Sequence, residues 1–129
     1  MITTRMVDYD IQDKIKVMID SQHSPYGFLN RDWLKSKYTS VYFRVTHRYI
    51  TGLKRRTLEI ANIEIVESKR GCGIFTSLID FLSSYNGYTL FIENVHEPKL
   101  GDWLDRNGFE VWIAPGDCGC VRSYYKIVE

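Results

Sequence analysis

The stretch TLEIANIEIVESKRGCGIFT, residues 57–76, decides the fold prediction because two kinds of secondary structure meet within it. Residues 57–66 are rich in apolar and β-branched side chains and predict a strand. Gly71 and Gly73 follow, and residues 72–85 place apolar side chains in a wide helical stripe. A strand that turns through glycines into a helix indicates a domain of mixed α and β structure.

Strand and helix patterns continue to alternate downstream. Residues 88–95 predict the next strand, and residues 98–106 predict a helix with a proline in its first turn. Two more strands are predicted at 109–113 and 122–128. Because a helix joins the strand before the glycines to the strand at 88–95, these two strands are expected to be parallel neighbours.

The upstream part predicts a short strand at 2–7, an amphipathic helix at 9–22, a helix at 31–37 with an asparagine as N-cap, and a strand at 39–50. A turn at 51–56 would pair that strand with the next as a hairpin. We therefore expect an α/β fold of the α+β type, in which a mixed, mostly antiparallel sheet with a central parallel pair is flanked by helices on both faces.

The overall composition limits the classes of function that are expected for this chain. The chain has 129 residues, 44% hydrophobic and 26% charged, which predicts one globular domain over residues 1–129. A net charge of +1 gives no strong indication of nucleic-acid binding. No signal peptide or membrane span of roughly 18 apolar residues is recognised, so a cytoplasmic location is expected. Three cysteines with no suitable spacing predict reduced thiols and no metal site.

The glycine turn at residues 70–76 indicates an anion site. Glycines allow a tight turn that exposes successive amide groups at a helix N-terminus, where the helix dipole favours an anion such as a diphosphate. The same glycine pair also suits a plain strand-to-helix turn, and that alternative stays open. The P-loop motif and the three-glycine dinucleotide motif are both absent.

The turn resembles the coenzyme A-binding motif of the GNAT acetyltransferase superfamily, which is Arg or Gln, two residues, Gly, one residue, then Gly or Ala. Arg70, Gly73 and Phe75 occupy its defined positions, with Phe75 replacing the usual small residue. An alternative register uses Ser68, Gly71 and Gly73. We prefer the first register because the apolar pairs of the following helix then fall where the family has them.

The resemblance covers residues 39–128, since later strands and helices occur in the family's order. It implies that the central parallel strands splay, that the pantetheine arm of acetyl-coenzyme A enters between them, and that acetyl passes directly to an amine acceptor. It also implies a possible homodimer and no membrane partner. The expected coenzyme-binding residues are Ile63, Ile65, Val66, Arg70, Gly71, Cys72, Gly73, Ile74, Phe75, Thr76 and Asn94.

Candidate catalytic residues follow from the same resemblance. Glu59 is the first choice for a general base and Glu64 the second. Ideal strand alternation puts them on opposite faces, and a bulge would change that parity. Leu104 stands where the family often has a tyrosine that acts as the general acid. Tyr124 and Tyr125 on the last strand are the substitute candidates, and we prefer Tyr124. Asn94 has an alternative role in capping the turn that follows its strand.

Two other functions stay open at this stage. Phe75 and Leu104 favour a catalytically weak or inactive module of the same fold that binds coenzyme A or a protein partner. An interaction protein that binds no coenzyme is the third possibility. The loops at 24–28 and 114–121 are expected to line the acceptor entrance.

Overall fold

The computed structural model of the protein describes residues 5–21, 30–113 and 122–128. The chain there alternates between strands and helices, with one 3-10 turn at Glu67–Lys69. In chain order the helices and strands are α1 (Tyr9–Asp20), β1 (Asn30–Lys35), β2 (Thr39–Ile50), β3 (Leu53–Ile65), α2 (Ile74–Leu82), β4 (Thr89–Val95), α3 (Pro98–Arg106), β5 (Glu110–Trp112) and β6 (Arg122–Ile127).

The strands form one six-stranded sheet in the order β1-β2-β3-β4-β6-β5. Only β3 and β4 run parallel, and α2 lies between them in the chain. Every other neighbouring pair is antiparallel. The predicted mixed, mostly antiparallel sheet with a central parallel pair is therefore confirmed.

The two faces of the sheet differ in chemistry. One face, called the helical face here, presents a continuous set of Val, Ile, Leu and Phe side chains. Buried side chains of α1, α2 and α3 complete this core, whose members include Ile11, Ile15, Val41, Phe43, Leu58, Ile60, Leu78, Leu82, Leu90, Ile92, Leu104 and Tyr124.

The opposite face, called the open face here, has a smaller cluster around Ile50, Phe91 and Tyr125. None of the described helices contributes to it. The predicted placement of helices on both faces thus differs from what is found. The physical reason is that arginine and glutamate side chains occupy the centre of the open face and leave only a small apolar cluster, whereas the apolar stripes of the helices match the continuous apolar surface of the helical face.

Three predicted elements need correction. Residues 31–37 were expected to be helical, but β1 occupies 30–35 because its backbone pairs with β2 and Leu34 packs against the main core. The expected turn at 51–56 is only two residues long, since β3 begins at Leu53. Residues 5–7, the described part of the strand expected at 2–7, are not in a strand.

Some expectations fall where the structure gives no description. Three sets of residues lie outside the described ones: residues 22–27, which were expected to end the first helix, the acceptor loops at 24–28 and 114–121, and the cysteines at 118 and 120. Within the described ranges, no helix has both the length and the apolar character needed to cross a bilayer.

Candidate active site

The central parallel strands separate partway along their length. β3 and β4 pair from Thr57 and Thr89 up to Ile60 and Ile92, although both strands continue beyond those residues. Each is irregular just past that point. On β3, Ala61 has no partner in the register with β2, and the register of β4 with β6 shifts after Ile92. Because bulges bend strands and increase their twist, they explain why the pair opens here.

A cleft of about 360 Å³ lies between the separated strands. The facing edges of β3 and β4 are not paired with each other there, so they can accept an extended molecule that carries amide groups. Of the predicted binding residues, Ile63 and Asn94 lie at this cleft. Its lining consists of Ile60, Ala61, Asn62, Ile63, Ile92, Glu93, Asn94, Val95, His96, Glu97 and Leu100.

Two predicted binding residues, Asn94 and Phe75, differ in their position relative to the cleft. Asn94 has a φ of 53°, in the left-handed region that non-glycine residues rarely adopt, and its N–H donates to the Ser123 hydroxyl at 3.1 Å. Phe75 is not among the cleft residues. Its ring instead meets Trp103 edge-on, with centroids 5.2 Å apart. The phenylalanine at the usual small-residue position therefore leaves the cleft open.

Among the described residues, the glycine turn leaves its amide groups without hydrogen-bond acceptors. Gly71 and Gly73 have φ angles of 77° and 97°, and Gly73 is the N-cap of α2. In the described part of the chain, the N–H groups of residues 71–76 donate no hydrogen bond. A Cβ at Gly71 would meet no atom within 4 Å, so the backbone there is open to approach.

The segment before α1 crosses the beginning of α2, a contact that no sequence pattern predicts. The Met6 N–H donates to the Cys72 carbonyl at 2.8 Å, and the Ser77 hydroxyl donates to the Met6 carbonyl at 3.0 Å. A Cβ at Gly73 would lie 3.0 Å from the Cβ of Arg5. Gly73 is therefore required by packing as well as by its φ angle, independently of any ligand.

Some of the groups predicted to bind the coenzyme already form hydrogen bonds within the protein. The Val66 N–H donates to the Tyr38 carbonyl, and Arg70 Nε donates to the Ile65 carbonyl, both at 2.9 Å. Arg70 thereby fastens the turn to the end of β3. Glu64 is exposed and lies with Arg70 at a second cavity of about 330 Å³ rather than at the cleft.

The bulge brings Glu59 and Glu64 to the same face. In the register with β2, Glu59 pairs with Arg44 and Glu64 pairs with Ser40, and both partners lie on the open face. Glu59 is fully buried, and its Oε2 accepts from Arg48 Nε at 2.6 Å and from the Thr57 hydroxyl at 2.7 Å. Its Oε1 accepts from Arg44 Nε and Arg48 Nη2, each at 3.1 Å. A substrate amine has no path to these oxygens in this arrangement.

Glu93 joins Glu59 in a network that sequence inspection did not single out. Arg44 Nη2 lies 2.7 Å from Glu93 Oε2, and Arg48 Nη2 lies 3.4 Å from Glu93 Oε1. We call Arg44, Arg48, Glu59 and Glu93 the charge quartet. The Arg48 guanidinium also stacks 4.1 Å from the centroid of the Phe91 ring. The two positive and the two negative charges of the quartet thus compensate each other in a partly buried environment.

Burial lowers the pKa of Arg44, but the carboxylates of Glu59 and Glu93 raise it by more, so its net pKa lies above the ordinary value. Arg44 is therefore a fixed positive charge at neutral pH. The one signal for Glu93 in the sequence is its place immediately before Asn94, at the end of a central strand.

The candidate acid lies in the core. Tyr124 is 4% exposed and belongs to the helical face, with its hydroxyl 3.2 Å from where a Cβ of Gly101 would stand. It is not among the cleft residues, and its hydroxyl has no hydrogen-bond partner in the described part of the chain. Leu104 is fully buried in the same core, which accounts for an apolar residue there.

Comparisons with known proteins found no matching family model and no matching curated protein. Three solved structures are similar at low identity. A protein described as histone acetyltransferase HPA2 and related acetyltransferase, from Corynebacterium glutamicum, has 10% identity and a TM-score of 0.48, with 92% of this chain and 75% of that one covered. A protein assigned as an acetyltransferase, from Agrobacterium tumefaciens, has 14% identity and a TM-score of 0.44, with 97% and 94% covered.

The third structure is Arabidopsis thaliana Naa50 in complex with a bisubstrate analogue, CoA-Ac-MVNAL. It has 12% identity and a TM-score of 0.45, with 95% of both chains covered. Acetyltransferases are therefore among the structural neighbours of this fold. Since all three similarities are low, nothing about the substrate or activity of this chain follows from them.

Proposed function

We propose that this chain is an acetyl-coenzyme A-dependent N-acetyltransferase that transfers acetyl directly to an amine. The observation that supports it most is the cleft, because β3 and β4 stop pairing at Ile60 and Ile92 while both continue beyond. A sheet that opens at its centre leaves unpaired backbone groups, and these need partners. The pantetheine arm carries two amide groups and has the extended shape that such an edge accepts.

The glycine turn is the proposed site of the pyrophosphate. β3 runs from the cleft to this turn, and α2 begins there with free amide groups on residues 71–76. A helix N-terminus with unpaired N–H groups stabilises an anion through hydrogen bonds and the helix dipole. Gly71 leaves one side of the turn open, while Arg5 lies against the other at Gly73. A pyrophosphate would therefore approach from the Gly71 side.

The proposed reaction needs few protein groups. The neutral amine attacks the thioester carbonyl carbon, the carbon–sulfur bond breaks, and the coenzyme leaves as a thiolate that takes up a proton. The enzyme must hold the two reactants together, which by itself contributes much of the rate enhancement. It must also accept a proton from the amine.

A second candidate is a module that binds the coenzyme without turnover. It is favoured by the burial of Tyr124 and Leu104, which leaves the expected acid position without a proton donor at the cleft. Thiol release measured with acetyl-coenzyme A and a panel of amines separates the two candidates, because only the enzyme releases thiol. The amine acceptor and the homodimer stay predictions.

The variant Cys72→Glu tests the coenzyme site. Cys72 is exposed between the two glycines of the turn, so a glutamate there places a negative charge beside the expected pyrophosphate. We expect the Kd for acetyl-coenzyme A, measured by titration calorimetry, to rise about tenfold, which corresponds to ~1.4 kcal/mol.

The matched control for that variant is Ser84→Glu, which adds the same charge at an exposed position just beyond the other end of α2. It should leave the Kd unchanged. Equal binding by Cys72→Glu, Ser84→Glu and the wild type would show that the pyrophosphate does not lie at the turn. The thermal unfolding midpoint of each variant, measured without ligand, reports any loss of folding.

A further inference from the structure

The two sides of the cleft have different chemistry. α2, whose first turn carries the free amide groups, packs its buried side chains onto the helical face. Glu93 lies on the open face, because it follows Phe91 by two strand positions and ion-pairs with Arg44 and Arg48. A coenzyme that enters from the α2 side therefore leaves the open face of the cleft to the acceptor. Direct transfer requires that the amine reach one face of the planar thioester, and the open face offers an approach that the coenzyme does not fill.

Glu93 is the accessible carboxylate of the charge quartet. Its side chain is 25% exposed and lines the cleft, whereas the side chain of Glu59 is completely buried. Arg44 holds Oε2 of Glu93 at 2.7 Å, while the contact of Oε1 with Arg48 is long, at 3.4 Å. Oε1 therefore keeps lone pairs that can accept a further hydrogen bond.

The surroundings of Glu93 suit a cationic partner. From β2 it faces Arg44 and Arg48, and Glu59 of β3 contacts the same two arginines. His96 and Glu97, which follow β4, also line the cleft. No lysine or arginine is among the described residues that line it. An ammonium group at this position would meet the carboxylates of Glu93 and Glu97 and the imidazole of His96, with the two guanidinium groups behind Glu93.

We propose that Glu93 receives the proton of the acceptor amine, and that Glu59 is a positioning residue that orients Glu93 through the two arginines. This inference rests on the proposed function. An ammonium group loses one proton to Glu93 Oε1, and its nitrogen lone pair then forms a bond to the thioester carbonyl carbon. The carbon–sulfur bond breaks, a second N–H proton neutralises the leaving thiolate, and Glu93 releases its proton to water.

The variant Glu93→Gln tests the proposal, with Asp105→Asn as the control because Asp105 is an exposed carboxylate of α3 that does not line the cleft. In a thiol-release assay with a primary alkylamine, we expect Glu93→Gln to lower kcat/KM about 100-fold near pH 7. The loss should shrink as the pH rises, because a free amine in solution needs no base. Asp105→Asn should remain within about twofold of the wild type.

Folding and binding are checked separately. Glu93→Gln should bind acetyl-coenzyme A as the wild type does, since the coenzyme lies on the other side of the cleft. If this variant does not fold, the same pH series is measured on Glu93→Asp, which keeps the charge but withdraws the carboxylate by one methylene group. There we expect a loss of about tenfold at neutral pH, again shrinking at higher pH.

Three results would overturn the inference. Wild-type turnover in a folded Glu93→Gln, or in Glu93→Asp where that variant replaces it, removes Glu93 from the reaction and leaves the proposed function intact. A loss that is equal at every pH indicates a structural role only. A wild-type chain that binds acetyl-coenzyme A but releases no thiol with any amine ends the transferase proposal itself, and the role of Glu93 with it.

Discussion

Glu59 is a buried carboxylate whose oxygens are occupied by two guanidinium groups and a threonine hydroxyl. Removing its charge would leave Arg44 and Arg48 with a single carboxylate between them, under partial burial. Breaking a buried ion pair by removing one partner costs about 3–5 kcal/mol because a charge is left uncompensated. We therefore expect Glu59→Gln to lower the free energy of unfolding by about that amount, measured by urea denaturation.

Glu64→Gln is the matched control for Glu59→Gln. Glu64 lies on the same strand and the same face, but it is exposed and has no ion pair within the described residues. Its replacement should leave the free energy of unfolding almost unchanged. If Glu59→Gln proved equally harmless, the charge quartet would not contribute to stability, and its role in orienting Glu93 would be without support.

At the scale of elements, Asp8 connects the start of α1 with the β1–β2 hairpin. Its Oδ1 accepts from the Ile11 N–H at 3.1 Å, and its Oδ2 accepts from the hydroxyls of Ser36 and Thr39 at 2.5 and 2.7 Å. Burial raises the pKa of Asp8, but these hydrogen bonds and the positive charge of Lys14 together lower it by more, so the net pKa lies below its ordinary value. One carboxylate thus caps the N-terminus of α1 and connects this helix to the β1–β2 hairpin by hydrogen bonds.

This lowered pKa predicts how stability depends on pH. The folded state binds the Asp8 proton less readily than the unfolded state, whose pKa is about 3.9. The contribution of the ionised carboxylate is therefore complete well above that pH and is lost as the pH falls below it. Asp8→Asn should cost about 2 kcal/mol at pH 7, since hydrogen bonds to a charged group are lost.

The difference in unfolding free energy between the wild type and Asp8→Asn should narrow as the pH falls below about 4, when the wild type also loses the charge. Asp13→Asn, an exposed position of the same helix, serves as the control and should show neither effect. Urea denaturation at a series of pH values measures both. A difference that stayed constant down to pH 2 would contradict the assigned cause.

At the scale of the whole molecule, local patterns predicted most elements, and contacts distant in sequence decided the rest. α3 has the bounds predicted for it, and α2 contains the apolar stripe that indicated a helix. Residues 31–37 were mistaken for a helix because their strand character comes from pairing with β2 rather than from their own short sequence. Local propensity is a weak guide where tertiary pairing determines the structure.

The candidate site was less predictable than the fold. The glycine turn could be recognised because its chemistry lies in consecutive residues. The bulge at Ala61 depends on the register with β2, and it decides on which face Glu59 and Glu64 lie. Glu93 gains its importance from Arg44, which is 49 positions away in the chain. No pattern in the sequence alone brings those two side chains together.

The turn and the separated strand edges lie in different parts of the chain, so binding of the coenzyme should be visible in several segments at once. Hydrogen exchange of the full chain, followed by mass spectrometry, can measure this. Because an added strand-like arm would pair with free backbone groups, we expect acetyl-coenzyme A to slow exchange at residues 61–65, 71–76 and 93–95. Amides of β1, at the far edge of the sheet, should exchange as before.

Coenzyme binding that slowed exchange at the turn but not at the strand edges would place the arm outside the cleft. The sheet would then separate there for a reason unrelated to acyl transfer.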